Sequence, residues 1–240
     1  MKVIAYSPIH YGLEYFKESL LSVVDVVDRF VVLYTPVPSY GYGTASACPD
    51  NEGELKAIAQ SVLGDKLQWI TKGYNSEGQH RDEIYKYAHG YDVLLAVDAD
   101  EVFHTEELKK AIEIVAVGAH RNYGIKGYVN LWRNFDTACY DGFLPIRLIN
   151  LKNRKKEMSN VPVTIWHFST CQSETIMRYK YEIHGHKSEI RGNWLDDVYY
   201  GETMEDLHPV AIGLWNAVKY DKELMPDYLK EHPNYNKDRV

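Results

Sequence analysis

The sequence predicts an α/β protein built on a mostly parallel sheet with helices on both faces. Three observations predict it. Over the first 117 residues, short apolar strands alternate four times with stretches of helical period. The connections between them are mostly short, and no internal repeat is present. The most apolar strand, residues 92–97 (DVLLAV), has the continuous character of a strand covered on both faces.

Each element has its own signal. Residues 2–7 (KVIAYS) read as a buried strand closed by Pro8. Leu13, Phe16, Leu20 and Val24 recur at helical spacing, and residues 29–35 (RFVVLYT) form the next strand. Pro36, Pro38, Gly41 and Gly43 make the following stretch a loop. Leu55, Ile58, Ala59, Val62 and Leu63 mark a second helix, which Gly64 ends before the strand LQWIT opens at Leu67. Ser76 with Gln79 fits a capping box for a helix running to about His89, where Gly90 stops it. After the strand 92–97, Thr105 with Glu106 and Glu107 starts a helix that runs to about Val117. Beyond residue 120 the regularity breaks. Strand-like pieces fall at 124–130, 143–150 and 163–168, and helices are expected near 173–182 and 209–220. From about Asp221 the chain is polar and contains proline, which predicts a loosely packed tail. Residues 1–120 are thus expected as a regular α/β half, and 121–240 as a less regular half of the same globular domain.

A chain of 240 residues can bury a sizeable core, and 45% apolar with 25% charged residues is an ordinary globular composition. The net charge of -7 removes any global electrostatic reason to expect nucleic acid or an anionic membrane as partner. The basic run 152–156 (KNRKK) is the local exception, and reads as a solvated loop between strands. Cys48, Cys139 and Cys171 lie far apart with no CxxC spacing, which is neither a disulfide framework nor a cysteine zinc site and fits a reducing compartment. No signal-peptide core and no apolar run of roughly 18 residues is visible, so a cytoplasmic enzyme without a transmembrane segment is expected. Tyrosine outnumbers phenylalanine 20 to 6, and its ring with a polar tip suits stacking on sugars and bases.

In open α/β sheets, ligands bind outside the carboxyl ends of the strands. Asp98 and Asp100 stand there, directly after VLLAV. Two carboxylates two positions apart in an extended segment point to one side, and would make a hard oxygen site for Mg²⁺ or Mn²⁺ shared with a diphosphate. An Asp-rich turn after a strand is the plainer reading of the same residues.

Residues 78–101, GQHRDEIYKYAHGYDVLLAVDADE, resemble the signature of GT-A glycosyltransferases, especially those similar to family 2. There a helix bearing an Arg leads into a hydrophobic strand that ends in DxD, often followed by Glu. Residues 3–34, closing with SVVDVVDRFVVLY, resemble the same family's opening βαβ unit. The resemblance implies a metal-dependent glycosyltransferase of hexosyltransferase type. It would use Mn²⁺ or Mg²⁺ and move a sugar from a nucleoside-diphosphate sugar, UDP-sugar favoured, to an acceptor hydroxyl. It assigns residues 1–120 to the nucleotide-sugar and 121–240 to the acceptor. It gives Asp98 to the ribose or the metal, and Asp100 to the metal. Arg81 would brace the diphosphate or the DxD carboxylates, the alternative being an i,i+4 surface partner on its helix. Ser7, Pro8 and Tyr34 would line the nucleotide pocket. The family's polar Asn-Glu is replaced here by Pro8-Ile9-His10, and its acidic residue at the end of the second strand by Tyr34, which leaves base and donor sugar unread.

In the second half, Trp166-His167-Phe168-Ser169 is similar to an element whose His completes the metal shell in some GT-A families; a satisfied core histidine is the alternative for His167. His184 and His186 form an HxH without a third zinc partner at fixed spacing. An inverting transfer needs a carboxylate base. The candidates are Asp141, first because Gly142 follows it among aromatic residues, then Asp136, and further off Glu174, Glu182 and Glu189. A turn aspartate before glycine is the plainer reading of Asp141. The acceptor is open among a glycan, a lipid-linked sugar, a protein and a modified nucleic-acid base. Rival readings are a haloacid-dehalogenase-like phosphatase with Asp98 as nucleophile, a nucleotidyltransferase of similar fold, and a sugar-binding protein without catalysis.

Overall fold

The alternation expected from the sequence is present. The computed structural model describes residues 1–39, 44–140, 142–153, 157–185 and 187–240. In chain order the elements are β1 (Val3–Ile9), α1 (Phe16–Val23), β2 (Arg29–Tyr34), α2 (Glu52–Leu63), β3 (Leu67–Thr71), α3 (Glu77–Asp82), β4 (Val93–Ala96), β5 (Glu101–Phe103) and α4 (Thr105–Val117). They continue with β6 (Asn122–Trp132), β7 (Thr137–Cys139), β8 (Ile146–Asn150), β9 (Met158–Thr170), α5 (Glu174–Glu182), β10 (Val218–Lys219) and α6 (Asp227–Lys230). Two units are distinguished: Met1–Gly41 with Asp50–Tyr128 and Leu144–Trp166, and Tyr42–Pro49 with Val129–Phe143 and His167–Val240.

In the first unit β4, β1, β2 and β3 lie side by side and parallel, with Tyr6 opposite both Ala96 and Val31, and Val32 opposite Trp69. β8 adds to β4 antiparallel, Leu148 opposite Leu95, and the start of β6 adds to β8. β4 therefore has a neighbour on each side, as its unbroken apolar run requires. Alternate residues serve the two faces. Val3, Ala5, Phe30, Val32, Val93 and Leu95 pack with α1, α2 and α4 through Phe16, Leu20, Leu55, Ala59, Leu108 and Ile112. Ile4, Tyr6, Val31, Leu33, Leu94 and Ala96 pack on the other face with Ile84 and Ala88. Each such Val, Leu or Ile contributes roughly 1.5–3 kcal/mol by leaving water. The fold class is thus the α/β class the sequence predicts.

Local differences have local causes. β1 runs past Pro8 to Ile9, because Pro8 pairs only with Leu33 of β2; the β4 ladder has ended at Tyr6, so the missing N–H costs little. The helix expected over 76–89 is shorter. Ser76 Oγ accepts from Gln79 N at 3.2 Å, but Gln79 Oε1 accepts from Asn75 N, and after Asp82 the chain tightens into a 3₁₀ turn, Glu83–Lys86. At α4 the cap is His104, whose Nδ1 accepts from Glu107 N, while Thr105 donates to Ser22 O.

In the second unit β7 lies between β6 and β10, Ala138 opposite Leu131 and Val218. Trp132, Met177, Trp194, Tyr199 and Leu207 form its core. The helix expected near 209–220 is absent: the stretch is a turn system in which Gly213 and Trp215 both have left-handed backbone, followed by β10. The tail expected to be loose is packed. Met225, Leu229 and Tyr235 are buried, and Phe135 meets the rings of Phe168, His232 and Tyr235. Among the described residues no helix is long and apolar enough to cross a membrane.

Candidate functional site

The chain leaves β4 at Ala96, and residues 98–101 make a turn closed by Glu101 N donating to Asp98 O at 3.1 Å. The premise that Asp98 and Asp100 share a side of an extended strand does not hold here, since the alternation of side chains belongs to strands and not to turns. Two contacts fix the turn. Ser19 of α1 donates from Oγ to Asp98 O at 3.1 Å. Gly12 sits so close that a Cβ there would lie 2.6 Å from Ala99 Cβ, and its φ of +150° suits glycine. Asp50 holds the Gly12 loop by accepting from Gly12 N and Leu13 N at 2.5 and 2.9 Å.

The carboxylates of the turn have different surroundings. Asp98 receives Arg81 in a fork, Nη1 to Oδ1 at 3.0 Å and Nη2 to Oδ2 at 3.3 Å, and Arg147 Nη2 to Oδ2 at 2.8 Å. Glu101 is fully buried and accepts from Arg147 Nε at 2.7 Å, Arg147 Nη2 at 2.5 Å and Tyr128 Oη at 2.6 Å. Arg147 thus bridges two acids. Burial works against its charge, but Glu101 and Asp98 outweigh burial and hold its pKa well above the usual value. The Asp98 carboxylate likewise raises Arg81. Burial and then Glu101 push Tyr128 up, and burial foremost raises Tyr6 beside Arg81, so both phenols stay protonated.

With Asp98, Asp100 and Glu101 against Arg81 and Arg147, the cluster keeps a net negative charge. Among the described residues no three His, Cys, Asp or Glu side chains form a cage for a metal. The donor set instead fits a hard cation held through one carboxylate and completed by substrate phosphates and water, the usual manner for Mg²⁺.

The remaining expected residues fall in varied places. Arg81 has Nε on Glu77, the i,i+4 partner, at 2.8 Å while its other nitrogens reach Asp98. Ser7 is buried, and its Oγ has no hydrogen-bond partner among the described residues. Pro8 lies on β1 beside Leu33, and Tyr34 is packed in the core with its ring stacked on Trp69 at 5.8 Å. In the second unit, His167 Nδ1 pairs with Asn130 Oδ1 at 2.8 Å, and Asp136 accepts from Lys222 Nζ at 2.9 Å. Asp141 and His186 lie outside the described residues, as do 154–156 of the basic run, while Lys152 pairs with Asp92 at 2.7 Å. Sequence reasoning passed over Arg147 and Tyr128. The signal for Arg147 was a single charge within the apolar run LPIRLI, which a buried strand tolerates only beside an opposite charge.

No family model matches the chain, and no curated protein matches it. Among solved structures, TarS 1-349 of S. aureus is 22% identical over 52% of this chain and 35% of its own, with a TM-score of 0.39. A mycobacterial protein is 12% identical over 54% of this chain and 41% of its own, with a TM-score of 0.39. Glucosyl-3-phosphoglycerate synthase from Mycobacterium tuberculosis, solved with Mg²⁺ and UDP, is 9% identical over 76% of this chain and 75% of its own, with a TM-score of 0.44. The match takes in well under two thirds of the first two of these chains.

Proposed function

We propose that this chain is a metal-dependent glycosyltransferase that moves a sugar from a nucleoside-diphosphate sugar, with UDP-sugar favoured, to an acceptor hydroxyl. The observation that carries the reading is the ionic cluster of Asp98, Glu101, Arg81 and Arg147 on the turn that leaves the carboxyl end of β4, beside β1. That is where open α/β sheets bind nucleotides. The cluster is hydrogen-bonded throughout, buried at Glu101, and set into the DxD turn whose resemblance to GT-A enzymes the sequence carries.

The roles follow from the chemistry of each group. A bound Mg²⁺ or Mn²⁺ would act as Lewis acid on the leaving diphosphate, stabilising the departing charge by several kcal/mol, on the order seen for such ions. Asp100 would hold it; His167, the further ligand that the sequence offers, belongs to the second unit. Asp98, locked by two arginines, orients the turn and is the acceptor for a ribose hydroxyl. Arg81 balances the diphosphate, and Ser7, Pro8 and Tyr34 border the nucleoside. Asp141 and Asp136 are the candidate bases for the acceptor hydroxyl in an inverting transfer. Residues 1–120 would serve the donor and 121–240 the acceptor. The engaged oxygens of Asp98 weigh against its use as a phosphoryl nucleophile. A cytoplasmic setting agrees with Cys48, Cys139 and Cys171 forming no disulfide among the described residues.

Calorimetric titration with UDP and GDP, each with and without Mn²⁺ or Mg²⁺, tests the reading alongside Asp100→Asn. Metal-dependent binding of one nucleotide, lost in the variant, is expected. Absence of binding to either nucleotide under every condition overturns it, and phosphatase assays on Asp98→Asn would follow.

A further inference from the structure

The second unit contains a cavity of about 360 Å³ that the donor chemistry above does not use. Trp215 and Tyr181 give it aromatic surface, and Lys180, His184, Glu189 and His208 give it polar groups. This is the mixture of ring faces and convergent polar groups that small-molecule sites have, at a size in their usual range.

Trp215 carries a second, independent observation. Its φ is +61°, a left-handed conformation that glycine or asparagine adopts readily and a bulky side chain does not. The turn that imposes it is heavily tied. Arg191 donates to Asp206 Oδ2, Asp206 O and His208 O, each at 2.6 Å. Asp206 Oδ1 accepts from Gly213 N at 2.6 Å, and Trp215 O accepts from Leu207 N at 2.9 Å. A loop needing only to turn would place glycine at 215. The tryptophan there packs edge-on against His208 and Trp132, at 4.8 and 6.4 Å between ring centres, and its ring also lines the cavity.

The polar groups narrow the ligand. Lys180 Nζ donates to Ser169 O and Oγ at 3.0 and 2.6 Å, which fixes the ammonium in place. His208 Nδ1 accepts from Val210 N and Ala211 N at 3.1 and 2.8 Å, which leaves Nε2 as the ring's donor. Lys180 and Glu189 oppose one another in charge, and a phosphate or carboxylate ligand would meet Glu189 as well as Lys180. Uncharged hydroxyls, which both donate and accept, match this set, and the C–H face of a sugar ring matches an indole. We propose that this cavity binds a neutral pyranose unit of a glycan, with Trp215 as its stacking wall. The inference concerns the second unit alone and does not depend on the donor reading.

The test is saturation-transfer NMR and calorimetry of the full chain with a panel of methyl pyranosides and short oligosaccharides, with UDP as a separate titrant. At least one neutral sugar is expected to bind in the millimolar range or tighter. Trp215→Ala should weaken it on the order of tenfold or more, while Trp215→Phe retains most of the affinity. Asp100→Asn should leave sugar binding unchanged, even where it abolishes nucleotide binding. Glu189→Gln, on an exposed 3₁₀ turn, provides a variant that folds if Trp215→Ala does not, and should also weaken the sugar. No binding by any neutral sugar overturns the proposal, as does sugar binding unaffected by both Glu189→Gln and a folded Trp215→Ala. Stronger binding of UDP than of any sugar, lost with Trp215→Phe, would assign the cavity to nucleotide and overturn it too.

Discussion

Replacing Arg147 with methionine removes the group that joins Asp98 to Glu101. The side chain is 13% exposed and donates twice to a Glu101 carboxylate that is 0% exposed, and once to Asp98. Asp98 keeps Arg81 and part of its hydration, being 20% exposed, so its loss is modest. Among the described residues, the Glu101 carboxylate keeps Tyr128. Breaking one partner of a buried ion pair costs about 3–5 kcal/mol, because the remaining charge stays out of water. For a chain of this length that lowers the melting temperature by roughly 6–20 °C. Neutralising the stranded acid should recover part of the loss, so Arg147→Met with Glu101→Gln is expected to be more stable than Arg147→Met alone. Urea unfolding followed by circular dichroism, with thermal melts of both single variants and the pair, gives the coupling directly. If Arg147→Met costs under about 1 kcal/mol, the value for a solvent-exposed pair, then the cluster is not the rigid, desolvated base of the turn that its geometry implies.

Burial outweighs the hydrogen bond between His80 Nε2 and Leu33 O, which favours the charged ring, and holds the His80 pKa below its ordinary 6.5. The unfolded chain therefore takes up the proton first, and the stability held above pH 6.5 is lost as pH falls towards the folded value. Melting temperature should drop below about pH 6.5, with a slope approaching 1.4 kcal/mol per unit for one proton, and His80→Gln should flatten it; an equal slope in the variant refutes the assignment. His10, also lowered by burial, supplies the slope that remains. Gly12→Ala places a methyl group 2.6 Å from Ala99 Cβ, and should cost about 1–3 kcal/mol and weaken nucleotide binding; Ala99→Gly in the same chain should relieve the overlap, and a neutral Gly12→Ala would contradict the contact. Deleting residues 222–240 uncovers Phe135 and removes the buried Met225, Leu229 and Tyr235, so several kcal/mol of stability and resistance to limited proteolysis should be lost, on the order of 1.5–3 kcal/mol per large apolar side chain. An unchanged melt would mean that the tail is dispensable.

The first unit was legible because hydrophobic period reports burial directly. DVLLAV reads as a covered strand and is one, and Ser76, Gly64 and the LQWIT strand mark boundaries that depend on few distant residues. Arg81 could be given two partners from sequence, since Glu77 lies one helical turn away and Asp98 ends the next strand. The second unit was less legible. A polar, proline-containing tail looks loose until Phe135 and Phe168 are there to receive it, and the spacing over 209–220 cannot reveal that Trp215 is held in a left-handed turn by Arg191, twenty and more residues earlier.

By itself, then, the sequence determined the alternation of elements, the central place of β4 and the presence of two aspartates at its end, because each depends on local periodicity. Tertiary structure decided what surrounds the first of them. A period of two says which face a side chain takes within a strand, but nothing about a turn, and nothing about which strand arrives alongside. Only the antiparallel addition of β8 to β4 brings Arg147, 49 positions beyond Asp98, against both Asp98 and Glu101. That neighbour makes Asp98 an anchored carboxylate, a property carried by long-range pairing and the low dielectric of a buried cluster.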